Sequence, residues 1–292
     1  MADRDGIKEA KEFYLDQVQG INQFHVKGAN HYDWGMKHRL SQLFSPKSGK
    51  TIMIAFDHGY IMGATSGLER LDITMPPLIE HADVVMATRG GLRTCIEPTM
   101  GKAIALRASG GSSVLREDIT KENLVVAIDD AIRMNASCIA VQVYVGSENE
   151  SMTIKNLNEA VNLGNQYGIP VLGVVGVGKE MARTPQYFLT ATRLVAEMGA
   201  HIVKTYYCDD FEKIVAACPV PIVVAGGKKI PEKDALTLTY NAINKGAAGV
   251  DMGRNVFQSE CPEAMIRAIR KIVHEGWSDT EAYEFYLKEK ED

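Results

Sequence analysis

Residues 200–207, Ala200-His201-Ile202-Val203-Lys204-Thr205-Tyr206-Tyr207, read as a β-strand of β-branched and aromatic residues that carries a lysine where a parallel-sheet strand should be apolar on both faces. A buried ammonium without a partner is costly, so Lys204 finds a counter-charge, emerges at an end of the sheet, or gives up its proton. Only the last makes it a nucleophile. A free lysine, with a pKa near 10.4, is neutral in roughly 1 part in 2,500 at pH 7, so amine chemistry requires desolvation or a nearby cation. The plain alternative is a lysine snorkelling from a strand end.

Short apolar runs recur on either side of this stretch, at Thr51–Phe56, Asp83–Ala87, Ala103–Arg107, Ser137–Val145, Val171–Val175, Pro221–Ala225 and Gly249–Met252. With His201–Tyr206 they make eight. Spaced by about 20 to 35 residues and alternating with amphipathic segments, they predict the α/β class, a (β/α)8 TIM barrel rather than an open doubly wound sheet. Helix starts fit the count: Thr184-Pro185 precedes a run closing at Gly199, Thr120 precedes Lys121 to Met134, Asp209 or Asp210 precedes Phe211, and Pro231-Glu232 and Pro262 open two more. The second unit is weak, because residues 92–102 hold too much glycine and proline for a full helix.

The expected organisation is an N-terminal arm and capping helix over residues 1–48, then the barrel with a C-terminal helix over 49–292. Residues 24–34 form an aromatic, glycine-containing patch. The amphipathic segment at 35–44 would close the barrel floor or cover a neighbouring subunit, the alternative being a disordered leader.

Hydrophobic residues make up 46% of the 292-residue chain and charged ones 24%; a net charge of -5 gives no reason to expect nucleic acid. Cys95, Cys138, Cys208, Cys218 and Cys261 stand singly, without zinc spacing or a C-x-x-C pair, so a reduced cytoplasmic protein is the expectation. The opening residues are charged and polar with no signal-peptide pattern, and no apolar run approaches the ~18 residues that span a bilayer.

In such a barrel the working residues lie at the C-terminal ends of the strands. The first strand ends in Asp57-His58-Gly59, the second in Arg89-Gly90-Gly91, the third in Arg107-Ala108-Ser109, and the fifth in Gly176-Val177-Gly178-Lys179. Asp57 is the best carboxylate for pairing with Lys204 or moving its protons, the alternative being a helix or turn cap. His58 is an acid–base group or a structural imidazole, and Tyr144 an acid, an orienting hydroxyl or packing. Cys208 lies near the mouth with nothing beside it to activate a thiol. Gly226-Gly227-Lys228 and Gly253-Arg254 follow the seventh and eighth strands, where barrels often hold phosphate. No metal-ligand set stands out at the strand ends.

Phe56-Asp57-His58-Gly59, Val203 to Tyr207, Ala225 to Lys229 and Asp251 to Asn255 together resemble the Schiff-base (class I) aldolases, the family that includes archaeal-type fructose-bisphosphate aldolases, over about residues 50–275. The resemblance implies an imine on Lys204, assistance from Asp57, and phosphate held by Gly226, Gly227, Gly253 and Arg254. One departure stands out: those aldolases carry a catalytic tyrosine in a Tyr-Pro-Arg-Gly-like turn after the fifth strand, where this chain has Val174-Val175-Gly176-Val177-Gly178-Lys179. Over nearly its whole length, including Asp33 to Met36, Thr88 to Arg93 and Gln142 to Glu148, the sequence is similar to a thiolase branch of that family. This implies a phosphorylated diketone and coenzyme A as substrates with no bound cofactor, a place in the breakdown of autoinducer-2, and a homo-oligomer, a decamer. The alternative is an aldolase cleaving a ketose phosphate.

Overall fold

The computed structural model describes residues 14, 16–20, 23–178 and 181–291. Among them, eight barrel strands follow in chain order: β1 (Thr51–Ala55), β2 (Val84–Ala87), β3 (Ala103–Arg107), β4 (Cys138–Val143), β5 (Val171–Val175), β6 (Ile202–Tyr206), β7 (Ile222–Ala225) and β8 (Gly249–Met252). Each pairs in parallel with its neighbours in sequence, and β8 returns to β1 to close a barrel. The eight expected strands and the TIM-barrel class are those observed, with ends moved by a residue or two.

Side chains alternate between two buried layers, because successive Cβ atoms point to opposite faces of a sheet. Met53, Met86, Leu172 and Ile202 belong to the layer inside the barrel. Ile52, Val85, Val171 and Val203 belong to the layer beneath the helices. With Ile202 inside and Val203 outside, Lys204 and Tyr206 fall on the interior face, which settles the choice that alternation alone left open.

The helix Trp34–Leu43 closes the floor. Asp33 caps it, accepting from the Met36 N–H at 2.8 Å. Its Met36, Leu40 and Leu43, followed by Phe44, join the interior layer from below. Arg39 donates to the Gly168 carbonyl at 3.1 Å, and Gln42 accepts from the Ser137 hydroxyl at 3.1 Å. Residues 1–13, 15, 21–22 and 179–180, hence part of the arm and Lys179, lie outside the described residues.

Two expectations about helices are corrected. Residues 121–134 are not one helix: Ser109–Gly111 pairs antiparallel with Glu122–Leu124 as a ribbon over the mouth, and helix begins only at Ile128. Burial of the Glu122 carboxylate against Arg107 overrides the local helical pattern. Asp210 occupies the position before Phe211–Ala217 but makes no capping bond; its carboxylate takes Lys213 at 2.8 Å instead. Elsewhere the signals hold. Thr184 caps Pro185–Glu197 by accepting from the Tyr187 N–H, Gly199 follows at φ +100°, and the second unit carries only Arg89–Cys95 and a single 3-10 turn. The tail helix Asp279–Glu291 packs on Glu232–Asn244 and Pro262–Glu275. No helix among the described residues is long and apolar enough to cross a membrane.

Phe44 is 1% exposed. Phe44→Ala should open the floor and lower unfolding free energy by about 3–5 kcal/mol in a denaturant titration; a loss under about 1 kcal/mol would show that this helix does not seal the barrel.

Candidate active site

At the C-terminal mouth of the barrel lies a cavity of about 320 Å³ that Asp57, His58, Tyr144, Lys204, Gly226, Gly227, Gly253 and Arg254 all help to line. Eight of the nine residues singled out from sequence therefore meet in one place. The ninth, Lys228, does not: its side chain is exposed and stands outside the lining, and its neighbour Lys229 turns to the Ile230 carbonyl and to Glu232, each at 2.7 Å. Arg183 takes the place expected of Lys228. It lines the cavity beside Gly227 and lays its guanidinium 4.1 Å above the Tyr206 ring.

The Lys204 amine points inward from β6. Its Nζ lies 2.9 Å from Asp251 Oδ2 and 3.4 Å from the Met86 sulfur. The Asp251 side chain is fully buried, while that of Lys204 keeps 11% of its surface toward the mouth. Their contact is an ion pair whose angles fall short of a well-formed hydrogen bond, and among the described residues Asp251 Oδ1 has no partner. Burial pushes the Asp251 carboxyl up to about 6, against the opposing charge of Lys204.

Asp57 does not pair with Lys204. Its Oδ2 accepts from Arg107 Nη1 at 2.9 Å. The same buried guanidinium donates to both Glu122 oxygens at 2.8 and 2.9 Å, to the Tyr60 hydroxyl at 3.1 Å, and through Nε to the Ser109 carbonyl at 2.9 Å. Four residues of the mouth and ribbon are thus fixed to one side chain. Burial alone would raise the Asp57 carboxyl, but the charges of Arg107 and Lys204 outweigh it and hold the group below the usual carboxylate range.

The His58 ring stacks on Phe257, with centroids 5.8 Å apart, and its Nε2 has no hydrogen-bond partner among the described residues. Burial lowers its pKa against the opposing pull of Asp57, so the ring is neutral at pH 7. Tyr144 is buried and burial raises its phenol. A Cβ on Gly176 would fall 2.6 Å from the Tyr144 ring and 2.3 Å from Gln142 Nε2, so the glycine at the end of β5 makes the space that these two side chains occupy. Cys208 stands outside the lining, and burial pushes its thiol up to about 11.

Two tight turns form the far wall. Gly227 adopts φ +72°, and a Cβ on Gly253 would lie 2.3 Å from the Ala55 carbonyl, so both positions favour glycine. Buried Asn255 ties the turns together, donating to the Gly226 carbonyl at 2.7 Å and accepting from the Ile230 N–H at 2.9 Å.

Sequence reading passed over Asp251, Arg107, Glu122 and Arg183 as site residues. Asp251 carried a usable signal, a carboxylate inside an apolar strand, the same anomaly that marked Lys204. Arg107 ends a strand as Asp57 does and could have been weighed with it. Arg183 had no signal, since only the chain path after β5 brings it to Gly227.

A family model described as DeoC/LacD family aldolase matches residues 51–259. An uncharacterised aldolase of Pasteurella multocida is 54% identical over 99% of this chain and all of its own length. A 3-hydroxy-5-phosphonooxypentane-2,4-dione thiolase of Escherichia coli K12 is 53% identical, with both chains covered in full. Among solved structures, an archaeal fructose 1,6-bisphosphate aldolase superposes with a TM-score of 0.74 at 24% identity, over 82% of this chain and all of that one, a likeness of fold.

Removing the shared guanidinium strands two buried carboxylates. Arg107→Met should cost about 3–5 kcal/mol of stability at pH 7, measured by denaturant unfolding. A carboxyl whose folded pKa is lowered contributes fully above its unfolded value of about 3.9 and loses that contribution as pH falls through the folded one, so the gap to wild type should narrow in acid. A gap that stays constant with pH would contradict the assigned pairing.

Proposed function

Starting from a chain that belongs to the DeoC/LacD family of aldolases, we propose that it is a thiolase that cleaves 3-hydroxy-5-phosphonooxypentane-2,4-dione with coenzyme A, giving acetyl-CoA and dihydroxyacetone phosphate. The observation that carries this reading is the Lys204 amine inside the closed sheet, in one cavity with the glycine turns after β7 and β8. Full-length identity of 53% to thiolases that act on that diketone supports the substrate.

The phosphate would lie against the backbone of Gly226, Gly227 and Gly253, with Arg254 and Arg183 supplying charge. This orients the neighbouring ketone toward Lys204, whose attack and loss of water give an iminium, an electron sink. The thiolate of coenzyme A attacks the distant acetyl carbonyl. The bond between that carbon and the hydroxylated one breaks, acetyl-CoA departs, and the electron pair settles as an enamine. Protonation of the enamine carbon and hydrolysis of the imine release dihydroxyacetone phosphate.

The thiol proton must travel to that carbon, and the three candidates for the task separate on electrostatics. Asp57 is held ionised by Arg107 and is a poor donor. Tyr144 keeps its proton, which suits it to orient an oxygen rather than to relay charge. His58 is neutral, lines the cavity and has no partner for its buried Nε2 among the described residues, which makes it the candidate to take the thiol proton and deliver it. No aldol hydroxyl has to be deprotonated, which fits the absence of a tyrosine at the end of β5.

Borohydride added with the phosphorylated diketone should leave a mass adduct that peptide mapping places on Lys204, and Lys204→Met should carry none. His58→Gln should still form the adduct while acetyl transfer to coenzyme A falls about 100-fold or more. Cleavage of fructose 1,6-bisphosphate without a thiol, with no acetyl-CoA formed from the diketone, would instead establish the plain aldolase.

A further inference from the structure

Lys204 and Asp251 face each other across the barrel interior from β6 and β8, and the arrangement is unusual for a structural ion pair. A buried pair kept for stability has its remaining lone pairs satisfied, since each unsatisfied oxygen adds desolvation cost. Here Asp251 Oδ1 has no partner among the described residues, and the contact to Lys204 is close at 2.9 Å but poorly aligned. The strand neighbours of Asp251 in register are Met53 and Ala225, which offer its side chain nothing polar. The carboxylate therefore has spare capacity directed at a single amine.

We propose that Asp251 is the catalytic proton shuttle of imine formation, accepting a proton from the Lys204 ammonium and returning it to the departing carbonyl oxygen. The inference rests on the Schiff-base reading given above and assigns within it a step that Asp57, paired to Arg107, is not placed to perform.

The protons balance. Asp251 carboxylate takes one proton from the ammonium, and the neutral nitrogen forms its bond to the ketone carbon while the carbonyl π pair moves onto oxygen. That oxygen receives the proton from Asp251, the nitrogen passes a second proton to the freed carboxylate, and the second is delivered to the hydroxyl. The carbon–oxygen bond then breaks, water leaves, and the nitrogen lone pair forms the iminium. Two protons have moved from nitrogen to water, and Asp251 ends as it began, an anion beside the new cation. Hydrolysis of the final imine runs the same path in reverse.

The groups facing Asp251 are Lys204 on β6, Asp57 at the end of β1 and Cys138 on β4. The first opposes protonation of Asp251 and the second favours it, while the Cys138 thiol, raised by burial, stays neutral. With the Asp251 carboxyl raised to about 6, the shuttle is ionised and competent above that pH and blocked by its own proton below it.

The test is the single-turnover rate of borohydride-trapped adduct formation as a function of pH. Wild type should show an acid limb near pH 6; a rate flat between about pH 5 and 7 overturns the proposal and needs no variant. Asp251→Asn should slow adduct formation about 100-fold or more and erase the limb, while His58→Gln should keep it. Asp251→Asn trapping at the wild-type rate, with Lys204 intact, overturns this inference alone. Absence of any adduct in wild type overturns it together with the Schiff-base reading. Asp251→Glu, which retains a carboxylate, should recover part of the rate and restore an acid limb, an outcome that a mere packing role for Asp251 does not give.

Discussion

A charge enclosed by a parallel sheet cannot be hydrated from the side, so the Lys204–Asp251 pair sets the terms for everything around it. In a medium of low effective dielectric the two groups see each other strongly, and small rearrangements of one proton carry large consequences. The floor helix matters for the same reason. Leu40, Leu43 and Phe44 seal the lower end with hydrocarbon, leaving the mouth as the route by which substrate and water reach the amine.

A second charge cluster sits one layer higher and does different work. Arg107 gathers Asp57, Glu122 and Tyr60, which come from the end of β1, the ribbon and the helix after β1. Because one guanidinium holds all three, the orientation of Asp57 at the mouth and the seating of the ribbon are one structural fact. The two carboxylates facing the Lys204 amine consequently differ in kind. Asp57 is ionised and held by the Arg107 guanidinium, whereas Asp251 lacks a well-formed hydrogen bond and titrates closer to neutrality.

Much of this architecture was legible in residue order, since eight apolar runs alternating with amphipathic segments leave few other topologies. The face presented by Lys204 was not, because alternation gives two equivalent answers until the closed register selects one. Asp251 shows a failure of weighting rather than of information: a lone carboxylate in Gly-Val-Asp-Met is as anomalous as a lone lysine in Ile-Val-Lys-Thr. Glu122 is the opposite case. Its neighbours favour helix locally, and only a partner 15 residues earlier in the chain draws it into a ribbon. Lys228 misled because a basic residue after a glycine pair suggests anion binding, while the turn itself swings that side chain to solvent.

Gly176 constrains how this barrel can change its chemistry. An aldolase acid would have to be supplied near the end of β5, yet even a methyl group at Gly176 collides with Gln142 and Tyr144 on the adjacent strand. Interconversion of carbon–carbon lyase and acyl transferase within this scaffold therefore demands coordinated replacements on two strands. An intermediate altered on β5 alone would be overpacked before it gained a new acid, and that barrier would help keep the two lineages apart.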